Sequence, residues 1–282
     1  MNPTPETAKA TITKVEKGPY TIHSYLSPEW AEMVCSQIIE TPASLIIVDV
    51  QLLREQAQAV KDYANSLGKP INKVIISHGH PDHWAGLEVF SDVPSYALAE
   101  SVNEIANYGQ GMLDSKKPYF GDAVAATVTV VPQPLTVESE VIDGLELVYH
   151  KNFGTDTTFS VMIELPQLNT LIAQDLIYNG VYPYIGDRNY MTQQPSFDTW
   201  IAILQGVKAK GYETIFPGHG LPTDSSICDT MIETLEFSKA TYAEATDGND
   251  LKERIMKKYP DYKVVDMLDL SAYMLYSNPY GA

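Results

Sequence analysis

The chain has 282 residues, 44% of them hydrophobic, which is enough for one large buried core or two small ones. Its 36 acidic and 19 basic residues leave a net charge of −17, a surface that repels phosphate backbones and argues against nucleic acid as a partner. No apolar run is long enough to cross a membrane, so no membrane partner is expected.

Residues 1–10 read as a loose tail rich in Pro and Thr. Met1 to Lys17 shows no apolar h-region, so no signal peptide is expected; the compartment stays open between cytoplasm and export with a leader already removed. Thr11–Val15 and Tyr20–Tyr25 alternate as edge strands do, and Met33–Glu40 and Ser44–Val50 form a hairpin about Thr41-Pro42-Ala43. A helix is predicted over Leu52–Leu67, closed by Gly68 and Pro70, and a strand over Ile71–Ser77. Trp84 to Phe90 can open a helix, Ser95–Ala99 a strand, and Glu100–Tyr108 a further helix. Gln110 to Val124 mixes Gly, Pro and Lys and reads as a loop or insert. Strands follow at Ala126–Val131, Leu145–Tyr149, Phe159–Leu165 and Thr170–Ala173, the last two about a turn at Pro166-Gln167-Leu168-Asn169. Pro195-Ser196-Phe197 precedes a helix that runs through Lys210, with Trp200, Ile201, Leu204 and Val207 as its apolar stripe, and Gly211 stops it. Thr214–Phe216 is a last short strand, followed by helices over Ser225–Ala245 and Leu251–Lys258 and an apolar tail, Val264–Tyr276, that packs on the body. Cys35 and Cys228 are far apart and outside any metal-type spacing, so they are either buried thiols or one disulfide.

Chemistry concentrates in Ser77-His78-Gly79-His80-Pro81-Asp82-His83-Trp84, which holds three of the chain's six histidines. Lys73-Val74-Ile75-Ile76 before it suits a buried strand, and Gly79 and Pro81 force a tight loop. A strand ending in imidazoles and a carboxylate is a rigid ledge for zinc, iron or manganese. Pro217-Gly218-His219-Gly220, after the last strand, puts another histidine at a strand end.

The ledge resembles the His-x-His-x-Asp-His signature of the metallo-β-lactamase superfamily at all four positions, His78, His80, Asp82 and His83. The resemblance runs from about Tyr20 to Leu221 and implies an α/β fold, a four-layer αββα sandwich, which the order of elements also fits. On this reading residues 1–282 form one domain, with the tail to about residue 10 and extra C-terminal helices over 225–282. It further implies a dinuclear metal centre with ligands from several strand ends. Asp49, ending Leu45-Ile46-Ile47-Val48, corresponds to a carboxylate that braces the histidine loop, unless it only caps the next helix. Asp175 corresponds to the bridging aspartate, with Gln174 where the family has Gly, and His219 to the final histidine. The family's third histidine has no counterpart between Phe153 and Ser160; Asp156 stands at its position, as acids do in the alkylsulfatase-like branch, and His150 ends the preceding strand. The alternative for Asp156 is an Asx turn onto the Thr158 N–H.

The resemblance thus implies one ion on His78, His80 and Asp156 and a second on Asp82, His83 and His219, with Asp175 between them. Zinc is expected first, and the extra carboxylate admits manganese or iron. The implied activity is metal-dependent hydrolysis of a small-molecule ester, lactone, amide, phosphoester or sulfate ester, with Asp82 orienting the nucleophile or taking its proton. The alternatives are a mononuclear-iron dioxygenase of the same fold, which needs the missing third histidine, and a metal-binding protein with little turnover. True β-lactamase and RNA-processing activity are not expected, because the former keeps the third histidine and the latter adds a nuclease domain and a basic face. Trp84, Tyr182 and Tyr184 are the expected pocket walls, with Tyr178 and Tyr190 close by in sequence. Arg188, Lys116 and Lys117 are cations for an anionic substrate, unless they are simply solvated. The oligomeric state is not legible.

Overall fold

A computed structural model describes residues 9–188 and 192–277. Most of the tail expected at the N-terminus, and Tyr190, lie outside these residues. The first sheet has seven strands in sequence order: β1 (Thr11–Lys17), β2 (Tyr20–Leu26), β3 (Cys35–Glu40), β4 (Leu45–Val48), β5 (Ile71–Ile75), β6 (Ser95–Ala97) and β7 (Gln133–Pro134). The second has five, β8 (Ser139–Ile142), β9 (Leu145–Phe153), β10 (Phe159–Leu165), β11 (Thr170–Tyr178) and β12 (Thr214–His219), also in sequence order across the sheet.

Strand β4 shows why the sheets stack. Its Leu-Ile-Ile-Val run is buried at every position, so both faces must be covered. Ile46 and Val48 meet Leu147, Ile163 and Phe216 of the second sheet, while Leu45 and Ile47 pack with Ala57 and Val60 of α1 (Arg54–Ser66). The short α2 (Pro81–Trp84) and the long α3 (Ala99–Phe120) complete that helical layer. Against the outer face of the second sheet lie α4 (Phe197–Lys210), α5 (Ile227–Glu244), α6 (Gly248–Lys258) and α7 (Val265–Ser277), closed around Trp200, Leu204, Leu235 and Leu268. The order is helices, sheet, sheet, helices: the αββα sandwich.

The sequence-based element assignment needs correction in several places. Gln110–Val124 is not a loop: α3 continues to Phe120, through Gly109 and Gly111, with Pro118 in its last turn. Gly109 is helical because it is a contact point, where a Cβ would sit 3.0 Å from Trp84 Cη2. Ala126–Val131 forms no strand; the chain instead pairs Gln133–Pro134 with β6. Strands β9, β11 and β12 run further than expected, so Asp175 and His219 lie within strands. The apolar tail is a helix, α7. Cys35 and Cys228 are both buried and free, so the disulfide alternative is discarded.

Candidate metal centre

The loop after β5, the β9–β10 connection, β11 and the end of β12 meet at one edge of the sandwich. Antiparallel pairing of His78 with Ser160, and the Val161 N–H donated to Ser77 O at 2.9 Å, tie the histidine loop to the second sheet. In the tight loop, Pro81 starts α2, which carries Asp82 and His83, and the His83 ring lies 4.3 Å from that of His78.

Two groups of donor atoms result. His78, His80, Asp156 and Asp175 form one, and Asp82, His83, Asp175 and His219 the other; in each, the donor atoms lie within 4.8 Å of one another. Asp175 belongs to both. In the first, Asp156 Oδ2 is 3.4 Å from His78 Nε2 and 3.2 Å from His80 Nδ1. In the second, Asp175 Oδ1 is 3.1 Å from His83 Nε2 and Asp175 Oδ2 is 3.2 Å from His219 Nε2, while Asp82 Oδ2 is 3.2 and 3.4 Å from the same two nitrogens. The structure therefore brings together all seven residues expected as ligands. The Asx turn considered for Asp156 is not formed: its Oδ1 accepts from Thr155 Oγ at 2.9 Å, and the loop is closed by Gly154 N–H to Thr158 O. His150 lies outside both groups, in contact with Glu164.

Three of the four imidazoles, those of His78, His83 and His219, are held from behind. Asp49 is not a helix cap. Its Oδ1 accepts the Ser77 N–H and its Oδ2 accepts from Ser77 Oγ and His83 Nδ1, all at 2.7 Å. Gln174 Nε2 also donates to Asp49 Oδ2. Asp49 and Gln174 both have left-handed backbones, φ 60° and 48°, which is strained for residues with a Cβ. Gln174 keeps the irregular strand path that its position demands, and its amide reaches Asp49 where a glycine would reach nothing. Ser77 Oγ is also 2.9 Å from His78 Nδ1, and His219 Nδ1 donates to the Glu32 carbonyl at 2.8 Å. Tyr178 donates to Asp175 Oδ2 at 2.6 Å and stacks flat on His219.

A metal fits this arrangement. His78 Nε2, His83 Nε2, His219 Nε2, Asp156 Oδ2 and Asp175 Oδ1 are buried with no hydrogen-bond partner among the described residues, although the opposite atom of each of these rings and carboxylates is held. Buried polar atoms are rarely left so, and ones converging on two points are ligand sets. With the imidazoles neutral, as metal ligation requires, the three carboxylates carry net negative charge that divalent cations would balance. The titration pattern reflects this. Burial, with the charges of His83 and His80, holds His78 well below the ordinary imidazole value. For His83, burial is outweighed by Asp175, Asp82 and Asp49, which push it well above. Asp82 is held well below the carboxylate range, burial being overcome by His83 and His219.

A cavity of about 90 Å³ opens onto the donors, with His80, Asp82, Asp175, Lys116, Tyr184 and Leu270 in its wall. Of the three expected aromatic walls Tyr184 is there, its ring edge-on to His80 at 5.3 Å, and Tyr178 lines the cavity as well. Trp84 does not line the cavity: it is 2% exposed, with its indole N–H donated to Gly79 O, so it braces the histidine loop from the core. Tyr182 is also buried and donates to Tyr259 O, away from the donors. Arg188 donates to Gln193 O and Leu275 O, and Lys117 pairs with Asp114. Ser77, Gln174 and Glu32 were not singled out in the sequence as supports. Ser77 lay beside the motif and was detectable; Glu32 had no signal, because it works through its carbonyl.

Residues 38–219 match the model of the metallo-beta-lactamase superfamily, and the chain belongs to that superfamily. It is 28% identical over 178 residues to an alkyl/aryl-sulfatase of Saccharomyces cerevisiae, covering 50% of this chain and 28% of the yeast protein. It is 23% identical over 279 residues to a linear primary-alkylsulfatase of Pseudomonas, covering 86% of this chain and 51% of that protein. Among solved structures, a metallo-beta-lactamase from Pontibacter korlensis is similar with a TM-score of 0.61 at 16% identity, over 80% of this chain and 99% of that one, a likeness of fold.

Proposed function

We propose that the chain is a hydrolase of small-molecule sulfate esters that works with two divalent ions, zinc first and manganese or iron as alternatives. The observation that carries this is the pair of buried four-residue donor groups sharing Asp175. Resemblance in sequence to alkylsulfatases supports the ester class, and so does the carboxylate of Asp156 in place of a histidine. When bound, the ions supply Lewis acidity towards the ester and lower the pKa of a water.

The chain's own residues do the rest. Asp82, at the cavity wall, accepts a hydrogen bond from the attacking water and aims it. Tyr178 is held well above the phenol range by burial and the Asp175 charge, so its O–H remains a donor that fixes Asp175 Oδ2. Asp49 fixes the His83 ring and its tautomer. Tyr184 and the α7 residues Met267 and Leu270 limit the access of bulk water.

The test is elemental analysis of chelator-free protein together with a screen of aryl and alkyl sulfates, phosphate esters, lactones and a β-lactam. Sulfate release that chelation abolishes and metal restores is expected. Turnover confined to another ester class, or unaffected by chelation, overturns the reading.

A further inference from the structure

Lys116 lies in the stretch read as a loop, but α3 carries it to the cavity wall beside Asp82 and Asp175. Its neighbour Lys117 points away to Asp114. Lys116 Nζ is 2.6 Å from Glu32 Oε1, and the two side chains are 17% and 11% exposed. This is not an ordinary surface pair. Among the described residues Glu32 is its hydrogen-bond partner, so the ammonium has donors to spare at the cavity.

Glu32 is itself fixed in space. It sits at φ 67°, in the left-handed region, after the short 3₁₀ turn Glu29–Ala31, and donates its N–H to Glu29 O at 3.0 Å. Its carbonyl accepts a hydrogen bond from the His219 Nδ1–H, while its carboxylate accepts one from Lys116. One residue thereby sets the distance between a metal-ligand ring and a cation. On a protein of net charge −17, with carboxylates lining the same cavity, a lysine placed this way is an address for an anion.

We propose that Lys116 is the anion-binding residue of the cavity: it takes a non-bridging oxygen of a monoanionic ester whose carbon part leaves past Met267 and Leu270 of α7. This rests on the hydrolase reading for its substrate, and on the cavity geometry alone for its anion. Lys116 forms no covalent bond and gives up no proton; it holds the ester oxygen with an N–H and selects charge.

The test uses the metal-loaded full chain, with p-nitrophenyl sulfate, p-nitrophenyl acetate and inorganic sulfate as probes. Lys116→Gln keeps a donor for Glu32 and removes the charge; Lys116→Arg keeps the charge. With metal content equal to the parent's, Lys116→Gln is expected to raise KM for the aryl sulfate by about 10–100-fold, the span of one charge-assisted hydrogen bond. Its effect on the neutral acetate is expected to be several-fold smaller, and Lys116→Arg to recover most of the loss. The affinity for inorganic sulfate, read by calorimetry, is expected to weaken in parallel. Equal effects on both esters, or none on either, overturn the proposal. If the parent hydrolyses no sulfate ester, the hydrolase reading fails separately. Sulfate binding then decides for Lys116: weakening in Lys116→Gln upholds the anion site, and unchanged binding overturns it.

Discussion

Asp156 is fully buried between two imidazoles, with one oxygen on Thr155 and the other facing His78 and His80. A carboxylate so placed is costly unless a cation shares it. Asp156→Ala is therefore expected to lower metal stoichiometry in elemental analysis, and Asp156→His to restore it with a shift towards zinc; parental stoichiometry in Asp156→Ala would remove Asp156 from the ligand set. Asp49 touches His83 only through Nδ1, so Asp49→Asn should weaken metal binding by about 10–100-fold in a chelator competition, without emptying the site. Protons compete with the metal. Burial opposes charge on His80 and His219, yet Asp156 raises the first to about 9 and Asp175 and Asp82 raise the second to about 10. Since these values lie above the ordinary imidazole pKa of about 6.5, the metal-free protein gains stability from both protons below that pH and loses it as pH rises through 9 to 10. The Tm of the metal-free form should fall over that window, and metal loading at pH 7 should release protons, seen as a buffer-dependent binding enthalpy. Flat Tm and no proton release would mean that these rings are already neutral. His78, His80, Asp82 and His83 were legible in the sequence because they crowd into one short motif around Gly79 and Pro81, and His219 because it stands between Gly218 and Gly220. Glu32 and Gln174 were not, because their work depends on a left-handed backbone and on partners far along the chain.

At the scale of elements, β11 and β12 carry the site by running parallel and close. Gly218, just before His219, is the point of closest approach: a Cβ there would overlap Asp175 Oδ1 and come 2.8 Å from the Asp175 backbone N. Gly218→Ala should therefore displace the carboxylate shared by both donor groups, costing metal stoichiometry and about 1–3 kcal/mol of stability. Retention of metal with an unchanged Tm would mean that the strands separate freely there. The misread α3 has a different cause. Gly, Pro and Lys in 110–124 look like loop composition, but Gly111 lies inside the helix with open space around it, and Pro118 falls in a last turn. Composition reports what a helix interior normally avoids; a helix anchored on the core through Ile105 and Leu113 tolerates such residues. Strands buried on both faces, such as β4, were easily read, whereas Gln133–Pro134 has only an edge role and no pattern of its own.

Across the whole molecule, the superfamily match ends at residue 219, yet the body does not. Helices α5, α6 and α7 close the core around Leu235, Leu251 and Leu268, and α7 brings Met267 and Leu270 to the cavity. What holds α7 in register is a polar contact. Ser271, 0% exposed, accepts the Ile185 N–H at 3.0 Å and donates to Met267 O at 2.8 Å. Ile185 follows Tyr184, whose ring lies against His80, so the contact links the outermost helix to the mouth of the site. Ser271→Ala would leave a buried N–H unsatisfied at a cost of about 1–3 kcal/mol. Because α7 supplies none of the donors in either group, metal content should stay at the parent's value while the denaturation midpoint falls. The wall formed by Tyr184, Met267 and Leu270 should loosen, so KM for a substrate with a long apolar group should rise more than KM for a short one. Loss of metal from Ser271→Ala would show instead that α7 supports the ligands themselves, and equal KM changes for long and short substrates would remove it from the substrate wall.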